Sequence, residues 1–193
     1  STGDVEGEIT KQKVDIMPSL AEIKKLLHEF SGTIEQRPPM YSALKYQGKP
    51  LYSYARDGID VPRPKRKVMI HTIELLKYQG NKLKLKIKCS KGTYVRTLAE
   101  DIGDQLNIGG YLIELRRINI GNLSIDDAVN IEQIEKIEDK ERVKLLLPTE
   151  ELLSEYENIV LNSNEEIAIK DGKIIEQGGK RPGLYKLYGS NKV

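Results

Sequence analysis

Residues 82–97 read Lys82-Leu-Lys-Leu-Lys-Ile-Lys-Cys-Ser-Lys-Gly-Thr-Tyr-Val-Arg-Thr97. Lys82, Lys84, Lys86 and Lys88 alternate strictly with Leu83, Leu85, Ile87 and Cys89. That period of two describes a strand with one face in a core and the other wet or facing an anion. Val68 to Tyr78 reads as its partner, joined through the turn Gln79-Gly-Asn-Lys82. Cys89 falls on the apolar face, as a small buried residue rather than a reactive thiol. Ser90-Lys-Gly-Thr93 then breaks the strand, and Tyr94-Val-Arg96 leads into a helix from about Thr97 to Leu106. If the chain stays extended there, Tyr94 and Arg96 project on one side. A tyrosine ring can stack under a base, and a guanidinium pairs with carboxylate or phosphate. A tyrosine closing the core edge and an arginine in a surface ion pair fit the same residues, and spacing alone leaves both open.

Upstream, Ser19 and Glu22 have capping-box spacing after Pro18, with Leu20, Ile23, Leu27 and Phe30 at helical period and Gly32 closing the helix. Residues 37–67 form a long irregular segment punctuated by Pro38-Pro39, Gly48, Pro50, Gly58, Pro62 and Pro64, with a short helix around Leu51–Arg56. Such stretches in compact domains are usually functional or mobile. Downstream, Tyr111 to Ile120 alternates as a strand carrying Arg116-Arg117, and Ile131 to Leu147 reads as a charged helix ending at Pro148. From about Glu157 come short strand candidates at 159–161, 166–169, 173–175 and 184–187, which suggest a small all-β unit after a boundary near 148–157.

The chain has 193 residues, 38% apolar, 31% charged and 6% aromatic, enough for one domain or one with a small appendage. No apolar run reaches the ~20 residues of a membrane-spanning helix, and the first ten residues carry no basic-then-apolar signal pattern. The expectation is a soluble, cytoplasmic protein. Cys89 is the single cysteine, so neither a disulfide framework nor a multi-cysteine metal site is available. His28 and His71 lie too far apart for a local zinc motif and read as structural or surface residues. Gly178-Gly-Lys-Arg-Pro-Gly183 lacks the context of a phosphate loop. Asp126-Asp127 and Glu165-Glu166 look like helix starts and turn surfaces.

The net charge of +2 hides a segregation. Residues 37–96 hold 15 Lys/Arg against three acids, while both flanks are net negative. Six of the ten tyrosines share that basic middle: Tyr41, Tyr46, Tyr52, Tyr54, Tyr78 and Tyr94. Cations interleaved with flat rings suit a phosphate backbone whose bases can stack; a solvated lysine-rich face accounts for the charge run alone.

Three strings carry a family resemblance. They are Arg37-Pro-Pro-Met-Tyr-Ser-Ala-Leu-Lys-Tyr-Gln-Gly-Lys-Pro-Leu-Tyr-Ser-Tyr-Ala-Arg56 with Gly58 and Val61-Pro-Arg63; Cys89 to Thr97 with Asp101-Ile-Gly103; and Leu115-Arg-Arg117 after Gly109-Gly110. In this order and spacing the sequence resembles the bacterial tRNA pseudouridine-55 synthases, the TruB family. The resemblance implies an α+β pseudouridine synthase fold: a mixed, mostly antiparallel sheet with flanking helices over residues 1–150. It also implies a thumb-like RNA-binding insertion at 39–67 and a partial, β-rich PUA-like tail at 157–193. The implied activity is isomerisation of uridine 55 in the T-arm of tRNA, with the base taken out of its stack. No metal or cofactor is implied, nor a membrane, and the complete form is expected to be monomeric.

Site roles follow from the same resemblance. Tyr94 matches a tyrosine that stacks on the flipped base, Arg96 an arginine paired with the catalytic aspartate, and Leu115 and Tyr41 line the substrate pocket. Lys45, Lys49, Arg56, Arg63, Lys65, Arg66, Lys67 and Lys91 are the expected RNA-binding cations. The family's catalytic aspartate belongs to a Gly-x-Leu-Asp-Pro-type motif that this sequence does not contain. Asp4, in Thr2-Gly-Asp-Val-Glu-Gly7, matches a later turn of the family instead. The chain therefore reads as a C-terminal portion beginning at that turn and inactive alone. The alternative is a non-catalytic tRNA-binding or remodelling module.

Overall fold

The computed structural model describes residues 3–5 and 16–189; of the opening turn at 1–7, only 3–5 fall within it. The chain divides into two units, one ending at Leu115 and the other starting at Arg116.

The first helix, α1 (Leu20–Glu29), starts at the capping box. Ser19 Oγ accepts the Glu22 N–H at 3.3 Å, and the Glu22 carboxylate accepts from the Ser19 N–H at 2.8 Å. The Ser19 hydroxyl and backbone N–H hold the Glu22 carboxyl below the usual carboxylate range. The helix closes at Phe30 rather than at Gly32, which instead opens a further strand, β1 (Gly32–Gln36). Within the 37–67 segment lie β2 (Lys45–Tyr46), β3 (Lys49–Pro50) and the expected short helix, α2 (Leu51–Arg56).

The spine of this unit is β4 (Arg66–Gln79), followed by β5 (Lys82–Cys89). Both partners of β4 are antiparallel: β1 pairs with its first half, Gly32 opposite Ile70, and β5 with its second, Cys89 opposite Ile70 and Lys82 opposite Gln79. Register shifts fall at the exposed residues His71 and Leu76. Each extra residue bends the strand while keeping Ile73 and Leu75 on the inner side. α3 (Val95–Gln105) begins two residues earlier than expected. It buries Leu98 and Ile102 with Ile23, Leu26, Leu27, Phe30 and Ile70, and Cys89 packs half-buried at the margin. Full burial of each such aliphatic side chain contributes about 1.5–3 kcal/mol.

Two glycines bring α3 against the next turn. A Cβ on Gly110 would stand 2.5 Å from the Ala99 carbonyl oxygen, and one on Gly103 would overlap the backbone of Gly109. This backbone-to-backbone contact excludes any side chain. Of the expected strand from Tyr111 to Ile120, only Asn119–Ile120 is in strand. Leu112 bridges to Asp4 and donates its N–H to the Gly3 carbonyl at 3.0 Å, while Tyr111, Ile113 and Leu115 stay exposed with no ladder beside them among the described residues.

In the second unit β6 (Asn119–Ile120) and β7 (Leu123–Ser124) form a minimal hairpin. The expected helix over Ile131–Leu147 is broken into α4 (Ile131–Glu135), α5 (Asp139–Arg142) and a 3₁₀ turn. Arg142 stabilises the break: its Nε donates to the carbonyls of Ile134 and Ile137 at 3.0 and 2.8 Å, satisfying acceptors at the end of α4. The tail is not all-β. Between β8 (Asn158–Val160) and β9 (Lys186–Tyr188), which pair in parallel, lies α6 (Ser163–Lys170) where residues 166–169 read as a strand. The Asn162 side chain accepts from the N–H groups of Asn164 and Glu165, and the Glu165 carboxylate returns to the Asn162 N–H. This capping box overrides the short Ile167/Ile169 alternation. Residues 173–175 form no strand.

Candidate functional site

The loop leaving β5 is shaped by its own side chains. Ser90 continues the ladder by donating its N–H to the Met69 carbonyl at 2.8 Å and accepting the Met69 N–H on Oγ at 3.0 Å. Gly92 supplies the left-handed backbone, φ +83°, that turns the chain. Thr93 Oγ1 donates back to the Ser90 carbonyl at 2.9 Å. The chain thus reaches Tyr94 in a fixed direction, and Tyr94 becomes the N-cap of α3, φ −97° and ψ 104°. The extended run through Arg96 entertained from the sequence ends at Tyr94, because Val95 and Arg96 are already helical.

Tyr94 contributes no side-chain cap to α3; its backbone is gripped by Gln36. The Gln36 side chain is 2% exposed, at the end of β1. Its Oε1 accepts the Tyr94 N–H at 3.0 Å and its Nε2 donates to the Tyr94 carbonyl at 3.3 Å. One amide therefore satisfies both polar groups of the residue that starts the helix.

Five residues beyond Gln36, the same segment reaches Arg96. Arg96 Nη2 donates to the Tyr41 carbonyl at 2.6 Å, and Nη1 pairs with Asp4 Oδ2 at 2.9 Å. Both side chains of the pair are mostly shielded, at 27% and 19% exposure, so this contact differs from an ordinary surface ion pair. Asp4 is placed by its bridge to Leu112. Tyr41, Tyr94, Arg96 and Asp4 thus meet at the first turn of α3. Leu115 is 59% exposed, three residues after Leu112.

Later in α3, Glu100 and Asp101 have carboxyls pushed above their usual range. Burial is the main cause for both, reinforced by neighbouring acids, Asp101 and Asp104 for Glu100 and Asp104 for Asp101. Arg96 opposes the shift on Glu100 and Lys65 that on Asp101. A Cβ on Gly3 would approach the Glu100 carboxylate to 2.8 Å, so glycine leaves that carboxylate its room.

The basic segment is internally organised. Lys49 pairs with Asp57 at 2.6 Å and lies 4.9 Å from the Tyr54 ring centre; that hydrogen bond raises its pKa. The Arg56 guanidinium lies over Tyr52 at 5.4 Å, and Tyr46 and Tyr54 meet edge-on at 5.9 Å. Arg63 faces inward, donating to the Pro38 carbonyl and to Asp60, both at 3.1 Å. Lys45, Lys65, Arg66, Lys67 and Lys91 are exposed. Among the described residues no group of three or more His, Cys, Asp or Glu is placed to hold a metal ion, and no helix is long and apolar enough to cross a membrane.

Comparison with known proteins agrees with this frame. Residues 1–95 match the model for the TruB family pseudouridylate synthase N-terminal domain, and residues 96–154 the tRNA pseudouridylate synthase B C-terminal domain. The chain belongs to the TruB family of pseudouridine synthases. It is 40% identical to the tRNA pseudouridine synthase B of Methylobacillus flagellatus over 97% of its length and 62% of that protein. To the protein of the same name from Aromatoleum aromaticum it is 43% identical over 99% of its length and again 62% of the relative. The chain thus spans somewhat under two thirds of the curated relatives it matches. A chain of the Cbf5–Nop10–Gar1 complex superposes with a TM-score of 0.68, 22% identity, and coverage of 90% of this chain and 53% of that one, a likeness of fold.

The motif residues Tyr94 and Arg96 were legible; the groups that hold them were not. Gln36 precedes the Arg37-Pro-Pro string by one position and carries no local signal, since its partner lies 58 residues away. Asp4 was visible as a carboxylate, but its partnership with Arg96 spans 92 residues.

Proposed function

We propose that this chain forms the larger part of an RNA pseudouridine synthase that isomerises a uridine in the T-arm of tRNA, working as a monomer in the cytoplasm. The supporting observation is the clasp at the start of α3, with Tyr94 gripped by Gln36 and Arg96 held between Asp4 and the Tyr41 carbonyl. The Tyr94 hydroxyl makes no hydrogen bond to a described residue, which leaves its ring available to a base removed from its stack. Asp4 orients Arg96, and Arg96 in turn presents a fixed positive charge to a reacting carboxylate, favouring its ionised form. Isomerisation breaks the N-glycosidic bond, rotates the base and forms a C–C bond; Tyr94 packs on the ring through these steps. Residues 1–150 are assigned to catalysis, 39–67 to a thumb over the RNA loop, and 157–193 to a partial PUA-like unit. Within the thumb, Lys45, Arg56, Lys65, Arg66 and Lys67, with Lys91 nearby, face the phosphates, whereas Arg63 is a strut.

The test is tritium release from 5-tritiated uridine in a tRNA transcript. The chain alone is expected to release none. A fusion carrying the family's Gly-x-Leu-Asp-Pro segment ahead of Ser1 is expected to release it, and Arg96→Ala in that fusion to stop it. Tight tRNA binding without release by the fusion would favour the non-catalytic module.

A further inference from the structure

The outward face of the β4–β5 hairpin carries a charge that the site does not use. Lys82, Lys84, Lys86 and Lys88 are all exposed, opposite Gln79, Lys77, Glu74 and Thr72 of β4. Lys67 lies on the same face near its other end, opposite Glu35 of β1. None of the four β5 lysines forms an ion pair with a described residue. Lys84 stands directly opposite Lys77, and like charges in that position destabilise a sheet. Successive β5 lysines are about 7 Å apart along the strand and repel one another, with Glu74, opposite Lys86, the one carboxylate directly across from the row. An external polyanion would relieve both.

We propose that this face binds the sugar-phosphate backbone of a helical RNA stem leading away from the site. The inference rests on the reading that the site takes an RNA loop, and extends it to the stem. The lysine row spans about 20 Å from Lys82 to Lys88, and its Lys88 end lies six residues before Tyr94. Charge therefore continues from the base-binding turn along one strand. No tyrosine or phenylalanine lies on the outward positions of β4 and β5, and the exposed His71 is a lone ring at a bulge, so a run of unpaired bases has no stacking platform. Phosphates of a duplex, read by shape and charge, are the fitting ligand. A membrane surface would require a band of apolar anchors, whereas Met69 and Leu76 are isolated. An acidic protein would require the aromatic or arginine anchors of a protein interface, and these positions hold lysines.

The experiment compares two T-arm hairpins, one with a stem long enough to run the length of β5 and one cut to the few pairs that close the loop. Binding is followed by fluorescence anisotropy across a salt series, with circular dichroism to check each variant's fold. The quadruple change Lys82→Gln, Lys84→Gln, Lys86→Gln and Lys88→Gln is expected to weaken the long hairpin about tenfold or more at ~0.1 M salt. It should lower the slope of log affinity against log salt by about one per lysine, and leave the short hairpin nearly unchanged. Arginine at the four positions should restore the long-hairpin affinity. Equal binding of the long hairpin by parent and variant overturns the stem contact while leaving the site reading intact. Failure of the parent to bind either hairpin overturns both. Tighter binding to phosphatidylserine vesicles than to the long hairpin also overturns the proposal.

Discussion

The unit around β4 and the unit that follows Leu115 draw on the same kinds of apolar residue and use them differently. In the first, Ile23, Leu27, Ile70 and Leu98 are almost wholly removed from water. In the second, Ile159 and Leu161 are the buried apolar residues among those described, while Ile131, Leu146, Ile174 and Leu184 are largely exposed. Apolar period alone does not make a core; it must meet a second element with a matching face. β4 has α1 and α3 on one side and a strand along each edge, and there the site's residues converge. A clasp made of single hydrogen bonds keeps its geometry only on such a support.

The largest test of this contrast is truncation at matched positions. Ile70→Ala is expected to cost about 2–5 kcal/mol in urea unfolding, and Ile174→Ala less than about 0.5. Comparable losses would mean that the second unit has a core of its own. Next in size is Gln36→Leu. It strands the N–H and carbonyl of Tyr94 and should cost about 1–3 kcal/mol, with faster hydrogen exchange at the Tyr94 amide. Unchanged exchange there would remove Gln36 as the anchor.

The two capping boxes sharpen the comparison at smaller scale. Ser19→Ala should cost about 1 kcal/mol and leave α1 in place, since tertiary packing also holds it. Asn162→Ala should instead lower helical content, visible in the α6 amide shifts. The smallest effect is pH-dependent. Because the Asp101 carboxyl is raised in the folded state, its protonated form is the favoured one. That contribution to stability is full below the ordinary carboxylate range and is lost as pH rises through the raised value. Asp101→Asn should therefore stabilise the protein slightly at neutral pH, by under about 1 kcal/mol, with the gain gone below about pH 4. A gain that persists in acid would point to packing instead.

The same contrast explains what could be read in advance. The β5 alternation, the Ser19–Glu22 box and the α2 turn are local, and their neighbours reinforce them. Residues 111–118 alternate less strictly, with Tyr111-Leu-Ile113 and Arg116-Arg117 out of period, and form no strand, because the chain there is taken up by Gly3, Asp4 and the Gly103–Gly110 contact. Ile167 and Ile169 suggested a strand, but Asn162 and Glu165 start a helix across them. In the site, the motif named Tyr94 and Arg96, whereas Gln36 and Asp4 act through contacts across most of the first unit and left no periodic trace.

In the proposed enzyme the target base lands at the first turn of α3. The most direct test of this replaces the target uridine of a T-arm hairpin with 4-thiouridine, irradiates the complex and maps the adduct by mass spectrometry. The adduct should fall in the tryptic peptide Gly92–Arg96, on Tyr94. Adducts confined to the segment after Leu115, with none on that peptide, would contradict it.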